Sequence, residues 1–413
     1  MNTHRTHFLI ALVLLAIALP MRAADSPSTQ QPQSLAGWDR KFTLRSADGR
    51  FRLNVGGRLQ AYYESLRPDA ATDRAVNGSS FSEKPLAAET SLFRIRRARM
   101  VMDGNLYDPS LEYEMQLELA GSSATLKRVY LNWKQSDALQ FRAGRFKAPF
   151  GRQQLVSIFK QQLTDRSLAS LEFTKGDDDG VMVWGTPRNG VFEYYAGVFN
   201  GEGPNKNSQQ DSRNQWFARG VWSPRGRFAA SESSLGSSSK PQWSFGVNAG
   251  VNGGWLFDVN GKPGVQAPMQ SCRNDTCVID HGDDASVRSA GVDAAFTWNR
   301  FSSTGEWFRR RIDPRQQSLR SVEANGWYLQ TGWFVQPEKS EAGLRYGVVD
   351  LDNRVAGDTS REMSAFFNRY LHGHNYKFQT ELTEIRTETP QHDSRAPAEL
   401  RDRRLRVQLV VSF

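Results

Sequence analysis

The stretch RRLRVQLVVSF, residues 403–413, puts Leu405, Val407, Leu409, Val411 and Phe413 on one parity and Arg404, Arg406, Gln408 and Ser412 on the other. Successive side chains of a strand point to opposite faces, so one face of this segment suits hydrocarbon and the other suits water. The same split recurs in LKRVYLNWK, where Val129, Leu131 and Trp133 oppose Arg128, Tyr130, Asn132 and Lys134. Runs of about 8 to 12 residues alternate with turn-rich segments from Phe51 to Phe413, and long helical periodicity is missing. Two architectures fit: a transmembrane antiparallel β-barrel, or a soluble all-β protein with its core on one side of each strand. An Arg facing lipid at mid-membrane would cost about 2 to 4 kcal/mol, so in a barrel the strand cations must face the lumen or sit at the rims.

The amino-terminal segment MNTHRTHFLIALVLLAIALPMRAADS has a positive start ending at Arg5 and His7, then an apolar run from Phe8 to Leu19. This reads as a secretory signal peptide over residues 1–24, cut after Ala23 or Ala24, with an uncleaved anchor as the alternative. Residues 25–50 are expected to form a periplasmic extension and residues 51–413 the barrel. Losing Arg5 and Arg22 lowers 53 basic residues to 51 against 44 acidic, an excess of +7. Cys272 and Cys277 in SCRNDTC are expected to close a small disulfide, since one nearby histidine, His281, leaves too few ligands for a metal site.

Sixteen strands are expected, starting near Phe51, Leu92, Leu111, Leu126, Leu139, Gly180, Val191, Gln215, Gln242, Val287, Ser302, Ala324, Glu341, Arg361, Asn375 and Arg403. Short turns such as QSDA, PRNG, WNRF, QPEKS and LHGH follow every second strand, and long polar loops lie between them. That alternation is how outer-membrane barrels are built. One connection breaks it: PRGRFAASESSLGSSSKPQ, residues 224–242, is long where a short turn belongs, and its low complexity predicts a mobile segment.

The stretches FRIRRARMVMDGNL, GRFKAPFG, DRSLAS, DDDGVMVWG and YYAGVFNGEG together resemble the phosphate-selective porin family. The resemblance implies a trimeric sixteen-stranded anion channel of a Gram-negative outer membrane, whose third extracellular loop folds inward to make the constriction. Gly144, Arg145, Phe146, Lys147, Pro149, Phe150 and Gly151 match the strand end entering that loop. Asp165, Arg166, Ser167 and Leu168 match a motif within it, and Gly180, Val181, Met182 and Gly185 match the strand leaving it. Arg96, Arg97, Ala98 and Arg99 match the arginine-rich second strand. There the alternation fails, because Phe93 and Ile95 share a parity with Arg97 and Arg99, so a bulge near Arg96 is needed to keep cations off lipid.

From these readings the lumen-lining set is Arg94, Arg97, Arg99, Arg128, Lys134, Arg142, Arg404 and Arg406. The anion-binding set of the loop is Lys147, Arg152, Lys160, Arg166, Ser167 and Lys175. Asp165, Glu172 and the run Asp177 to Asp179 nearly neutralise that loop, so placement must decide its effect. At about 7 Å each cation attracts a monovalent anion by roughly 0.6 kcal/mol in bulk water and about 2.4 kcal/mol at an effective dielectric near 20. Several would favour anions as rings of Arg and Lys do. Separating phosphate from chloride needs directional donors such as Arg forks and the Ser157 or Ser167 hydroxyls.

Tryptophans 133, 184, 216, 222, 243, 298, 307, 327 and 333 lie in predicted strands, where an interfacial aromatic belt and ligand stacking compete as explanations. GDDDG could bind calcium or serve as a salt-bridge partner. No nucleophile motif accompanies His281, His372, His374 and His392, so neither catalytic residues nor a cofactor are expected. The expected function is a passive channel for phosphate or other small anions such as pyrophosphate and polyphosphate. A general porin of weak selectivity is the alternative; a barrel enzyme or a soluble polyanion binder fits less well, and no nucleic-acid partner is expected. Expected partners are outer-membrane lipid and lipopolysaccharide, two further copies in a homotrimer, and the assembly machinery through Phe413.

Overall fold

The computed structural model describes residues 35–38, 41–67, 90–201, 203, 214–237, 239–255, 271–273, 276–278, 285–314, 320–388 and 399–413. The proposed signal peptide lies outside them. A small hairpin, β1 (Ala36–Trp38) and β2 (Phe42–Arg45), precedes the barrel. The wall begins with β3 (Arg52–Arg67), β4 (Thr90–Leu106), β5 (Asp108–Glu118), β6 (Thr125–Ser136), β7 (Leu139–Lys147) and β8 (Asp177–Gly185). It continues with β9 (Phe192–Phe199), β10 (Gln215–Trp222) and β11 (Gln242–Trp255). A detached hairpin follows, β12 (Ser271–Arg273) and β13 (Thr276–Val278), whose backbone makes Cys272 and Cys277 direct ladder partners. Their side chains lie outside the described residues.

The rest of the wall is β14 (Ala285–Trp298), β15 (Phe301–Pro314), β16 (Val322–Gln336), β17 (Ser340–Asp350), β18 (Thr359–His372), β19 (Tyr376–Glu388) and β20 (Glu399–Ser412). Each wall strand pairs antiparallel with the next, and β20 returns to β3 from Arg58↔Ser412 to Arg67↔Arg403. The result is a closed barrel of sixteen strands, which removes every free wall edge. All sixteen predicted starts fall within four residues of these strands. The amino-terminal hairpin is joined to the sheet, because β2 pairs with β3 at Phe42↔Val55 and Leu44↔Leu53.

Burial is inverted relative to a soluble protein. The side chains facing in include Gln60, Asn132, Asn368 and Glu341, all with no exposed surface, whereas Val247 and Leu344 on the outside are each 61% exposed. A continuous apolar outer surface of this kind is untenable in water and natural in lipid. The soluble all-β alternative is therefore excluded. Trp216, Trp222, Trp243, Trp298, Trp307, Trp327 and Trp333 are exposed on that face, as a membrane belt requires.

The conflict in FRIRRARMVM is resolved by a bulge. On β3, Gln60 pairs with Arg97 and the next residue, Ala61, pairs with Ile95, so Arg96 is the extra residue. Phe93 and Ile95 stay outside before it, and Arg97 and Arg99 point in after it.

Residues Ala148–Gly176, between β7 and β8, cross the lumen and carry two short helices, α1 (Arg152–Leu155) and α2 (Leu168–Phe173). Phe150 and Phe173 of this loop pack with Phe146, Phe199, Phe217 and Phe308 of the inner wall. Phe173 and Phe308 stack with planes 6° apart at 5.7 Å. Each buried ring contributes on the order of 1.5–3 kcal/mol. Gly326 permits this approach, since a Cβ there would meet the Phe173 ring at 2.4 Å. Gly326→Val should cost about 1–3 kcal/mol of strain. The temperature at which the folded band converts to the unfolded one in detergent gels should fall; an unchanged temperature would remove Phe173 as an anchor.

The long turn between β10 and β11 departs from its expected mobility. It folds up into the barrel, where Glu232, Ser233 and Ser234 are buried. Glu232 accepts from Gln153 Nε2 at 2.8 Å, Gln162 N at 2.9 Å and Gln330 Nε2 at 2.9 Å. Low complexity masked a single carboxylate with three amide donors waiting for it.

Candidate functional site

The inward loop, the turn and the wall, mainly strands β3–β10 with Ser244 of β11 and Thr304 of β15, enclose a cavity of about 530 Å³. Ten Arg or Lys side chains line it against four carboxylates. Parity explains the wall contribution: Arg97 and Arg99 on β4, Arg128 on β6 and Arg142 on β7 all take inward positions. Arg58, Lys127 and Arg219 line it too and were not among the expected residues. For Arg58 a signal existed, because it shares its parity with the inward Gln60 and Tyr62.

The partners of these cations separate them into two groups. Arg128 bonds Asp177 and Glu114, Arg99 bonds Glu118 at 2.6 Å, and Arg97 reaches Gln60 at 2.9 Å and Asp165 at 3.4 Å. Among the described residues Arg58 and Arg142 have no carboxylate partner. The Arg58 guanidinium lies 5.6 Å from the Phe159 ring centre. That of Arg142 lies 4.3 Å from the ring of Tyr130 and 5.0 Å from that of Trp184, donating only Nε to Asn132 Oδ1 at 3.3 Å. Trp184 thus faces the lumen and is no part of the belt; its indole N–H donates to Asn132 Oδ1 at 2.9 Å. Its ladder partner Gln140 shares the inward parity of Arg142.

Loop cations are mostly committed to partners in the loop or on the wall. Lys147 donates to the carbonyls of Gln154, Leu155 and Val156 at 2.5, 3.0 and 3.0 Å, which uses all three ammonium protons. Its charge lines the cavity, but no N–H is left to offer. Arg166 donates to the carbonyls of Gln153 and Gln154. Arg152 is held by Asp293 at 2.7 Å and Ser244 at 2.8 Å. Ser167 is fully buried and caps α2 through Ser170 N–H at 3.0 Å, which gives its hydroxyl a structural place. Lys175 bonds Gln215 and Asp178 beside the cavity, and Lys160 is exposed outside it.

Four of the named wall cations do not line the cavity. Arg94 pairs with the inward Tyr62 at the exposed start of β4, and Lys134 bonds Asp137 beside a short turn. Arg404 meets Glu381 at 3.1 Å, and Arg406 bonds Glu64 and Asp165. Asp165 is the hub of the loop, accepting also from Arg96 at 3.3 Å. Burial alone would raise its carboxyl, but Arg96, Arg406 and Arg97 outweigh burial and hold it well below the usual carboxylate range. Arg345, itself fully buried, pairs with Glu362 and donates to the Asp165 carbonyl at 3.0 Å.

A barrel lined in this way belongs with the model for phosphate-selective porin O and P, which matches residues 79–413. The chain belongs to that family. It is a porin, an outer-membrane channel of Gram-negative bacteria. No curated protein sequence matches it. Among solved structures, this porin is similar in fold to the anion-selective porin from Comamonas acidovorans, at 10% identity and TM-score 0.56, covering 87% of this chain and 99% of that one. It is likewise similar to the outer membrane channel DcaP of Acinetobacter baumannii, at 12% identity and TM-score 0.56, covering 90% and 99%. Pseudomonas putida OprB is a third, at 11% identity and TM-score 0.56, covering 87% and 94%. Among the described residues no group of three or more His, Cys, Asp or Glu could hold a metal ion; GDDDG is instead drawn into pairs with Arg128, Lys175 and Arg145.

Proposed function

We propose that this porin is a passive channel selective for anions, with inorganic phosphate and related oxyanions such as pyrophosphate and polyphosphate as the leading substrates. The observation that carries the reading is the ten-to-four excess of cationic over carboxylate side chains around the cavity. Within it, Arg58 and Arg142 are the groups with donors to spare, so they present N–H groups to a passing ion while the committed cations supply field. The family name supports phosphate as the ion. Lys147, Arg152 and Arg166 act by charge in this reading, with Arg97, Arg99 and Arg128 lining the path.

A passive channel must release what it binds, so the site is shallow and block by phosphate occurs at millimolar rather than micromolar levels. Planar-bilayer recordings of the purified protein in a KCl gradient should give a reversal potential on the chloride side. Phosphate titration should then reduce the chloride current. A reversal potential favouring potassium sinks the anion reading, and an absence of phosphate block leaves a general anion porin. We also propose that the assembly is a homotrimer, that residues 1–24 are removed on export, and that Cys272 and Cys277 form a disulfide.

A further inference from the structure

The cavity is not uniformly lined. Arg58 on β3, Arg97 and Arg99 on β4 and Lys127 and Arg128 on β6 hold one side. The other carries Phe146 on β7, Trp184 on β8, Tyr195 on β9 and Phe228 of the inward turn, together with Arg219 on β10, whose charge is met by Asp293. Strand order in a closed barrel makes this a lateral division, with cations on neighbouring strands and rings on the next ones round. Trp184 and Tyr195 stack with planes 3° apart at 5.9 Å, and Arg142 lies against Tyr130 and Trp184 where the two sides meet. Glu193, the carboxylate on the aromatic side, accepts the Tyr195 hydroxyl at 2.6 Å.

A tetrahedral inorganic ion makes no use of such a wall. Ring faces carry negative quadrupole potential and offer no donors to replace lost hydration. A volume of about 530 Å³ falls in the range of small-molecule sites, which are lined by aromatic side chains with a few placed charges. We propose that the cavity is a site for planar aromatic carboxylates, the ring stacking on the Trp184 and Arg142 side and the carboxylate meeting the cations of β3–β6. This rests on the anion-channel reading and names a substrate class for it. Contact with the rings of the aromatic side adds attraction that neither acetate nor phosphate can gain.

The test uses the full chain in planar bilayers, with benzoate, cyclohexanecarboxylate, acetate and inorganic phosphate each titrated against the chloride current. Benzoate should halve the current at a concentration about three- to tenfold below acetate, the range expected for one aromatic pair. Cyclohexanecarboxylate, which is apolar without a π-face, should fall nearer acetate. Trp184→Leu and Phe228→Leu should each bring the benzoate-to-acetate ratio toward one; Phe228 lies in the turn, so its replacement leaves every wall strand intact. Equal block by benzoate and acetate in the unmodified protein overturns the proposal, as does a full ratio retained in both variants. A potassium-directed reversal potential is a separate readout, and it would remove the anion-channel reading itself.

Discussion

Asp165→Asn should loosen the inward loop and turn a steady current into a larger, flickering one. Asp165 accepts from Arg96, Arg97 and Arg406, and so ties the loop to β4 and β20 together. An asparagine there keeps the size, loses the charge and turns a pair of N–H donors toward three guanidinium groups. Removing one partner of a buried ionic cluster costs roughly 3–5 kcal/mol, because the remaining charges stay buried without compensation. Phe150, Phe173 and the Arg345 contacts still hold the loop near the wall, so the barrel survives while the loop moves. Single-channel noise and conductance are the measurements; a trace indistinguishable from that of the unmodified protein would sink the assignment of Asp165 as the anchor.

The same carboxylate sets an expectation for acid. Its folded pKa is depressed, so its contribution is complete above the unfolded value of about 3.9 and is lost as pH falls through the folded value. Currents should therefore be equally quiet from neutral pH down to about 4 and loosen only in stronger acid. Loosening between pH 5 and 6 would mean that another group holds the loop.

The second large effect is electrostatic. Arg58→Gln with Arg142→Gln removes the two wall arginines of the cavity that, among the described residues, pair with no carboxylate, while leaving every cross-loop ion pair in place. Taken at about 7 Å from the ion, the pair accounts for roughly 1 to 5 kcal/mol of anion attraction between the limits of bulk water and an effective dielectric near 20. The reversal potential in a KCl gradient should move toward zero, and block by phosphate should weaken. The control is Arg128→Gln, whose charge is already met by Asp177 and Glu114 and whose loss should matter less. An effect of Arg128→Gln half as large as that of the double variant, one charge against two, would show that count rather than compensation governs selectivity.

The wall was readable because lipid and lumen impose opposite demands on alternate residues, and that pattern survives in each strand separately. Even the bulge at Arg96 was legible, since Phe93 and Arg97 on one parity could not both be satisfied without it. The loop obeys no such period. Lys147 and Ser167 have the composition of an anion site, yet their donors and lone pairs go to the loop's own carbonyls and N–H groups, contacts made by chain segments that only folding brings together. Trp184 was unreadable for a related reason: tryptophan suits the membrane interface and an aromatic lumen wall equally, and only register decides. Glu232 gave no sign of burial, because its three amide partners come from the loop and from β16.

The seam of the barrel has a consequence for how the chain reaches this state. One edge of β3 is shared: β2 takes residues Arg52–Val55, and β20 takes residues Arg58–Arg67. Between them Gly57 exchanges two backbone hydrogen bonds with Phe413, at 2.8 and 2.9 Å. The partner that fills most of this edge is the one synthesised last among the wall strands, so for most of assembly the edge stands open as a template for any other chain. Closing so distant a pair is also the slowest kind of contact to form. The short β2 hairpin, local in sequence and able to pair at once, covers the first part of that edge and leaves one register for β20 to dock against. In those terms the residues before the barrel are a primer for its closure.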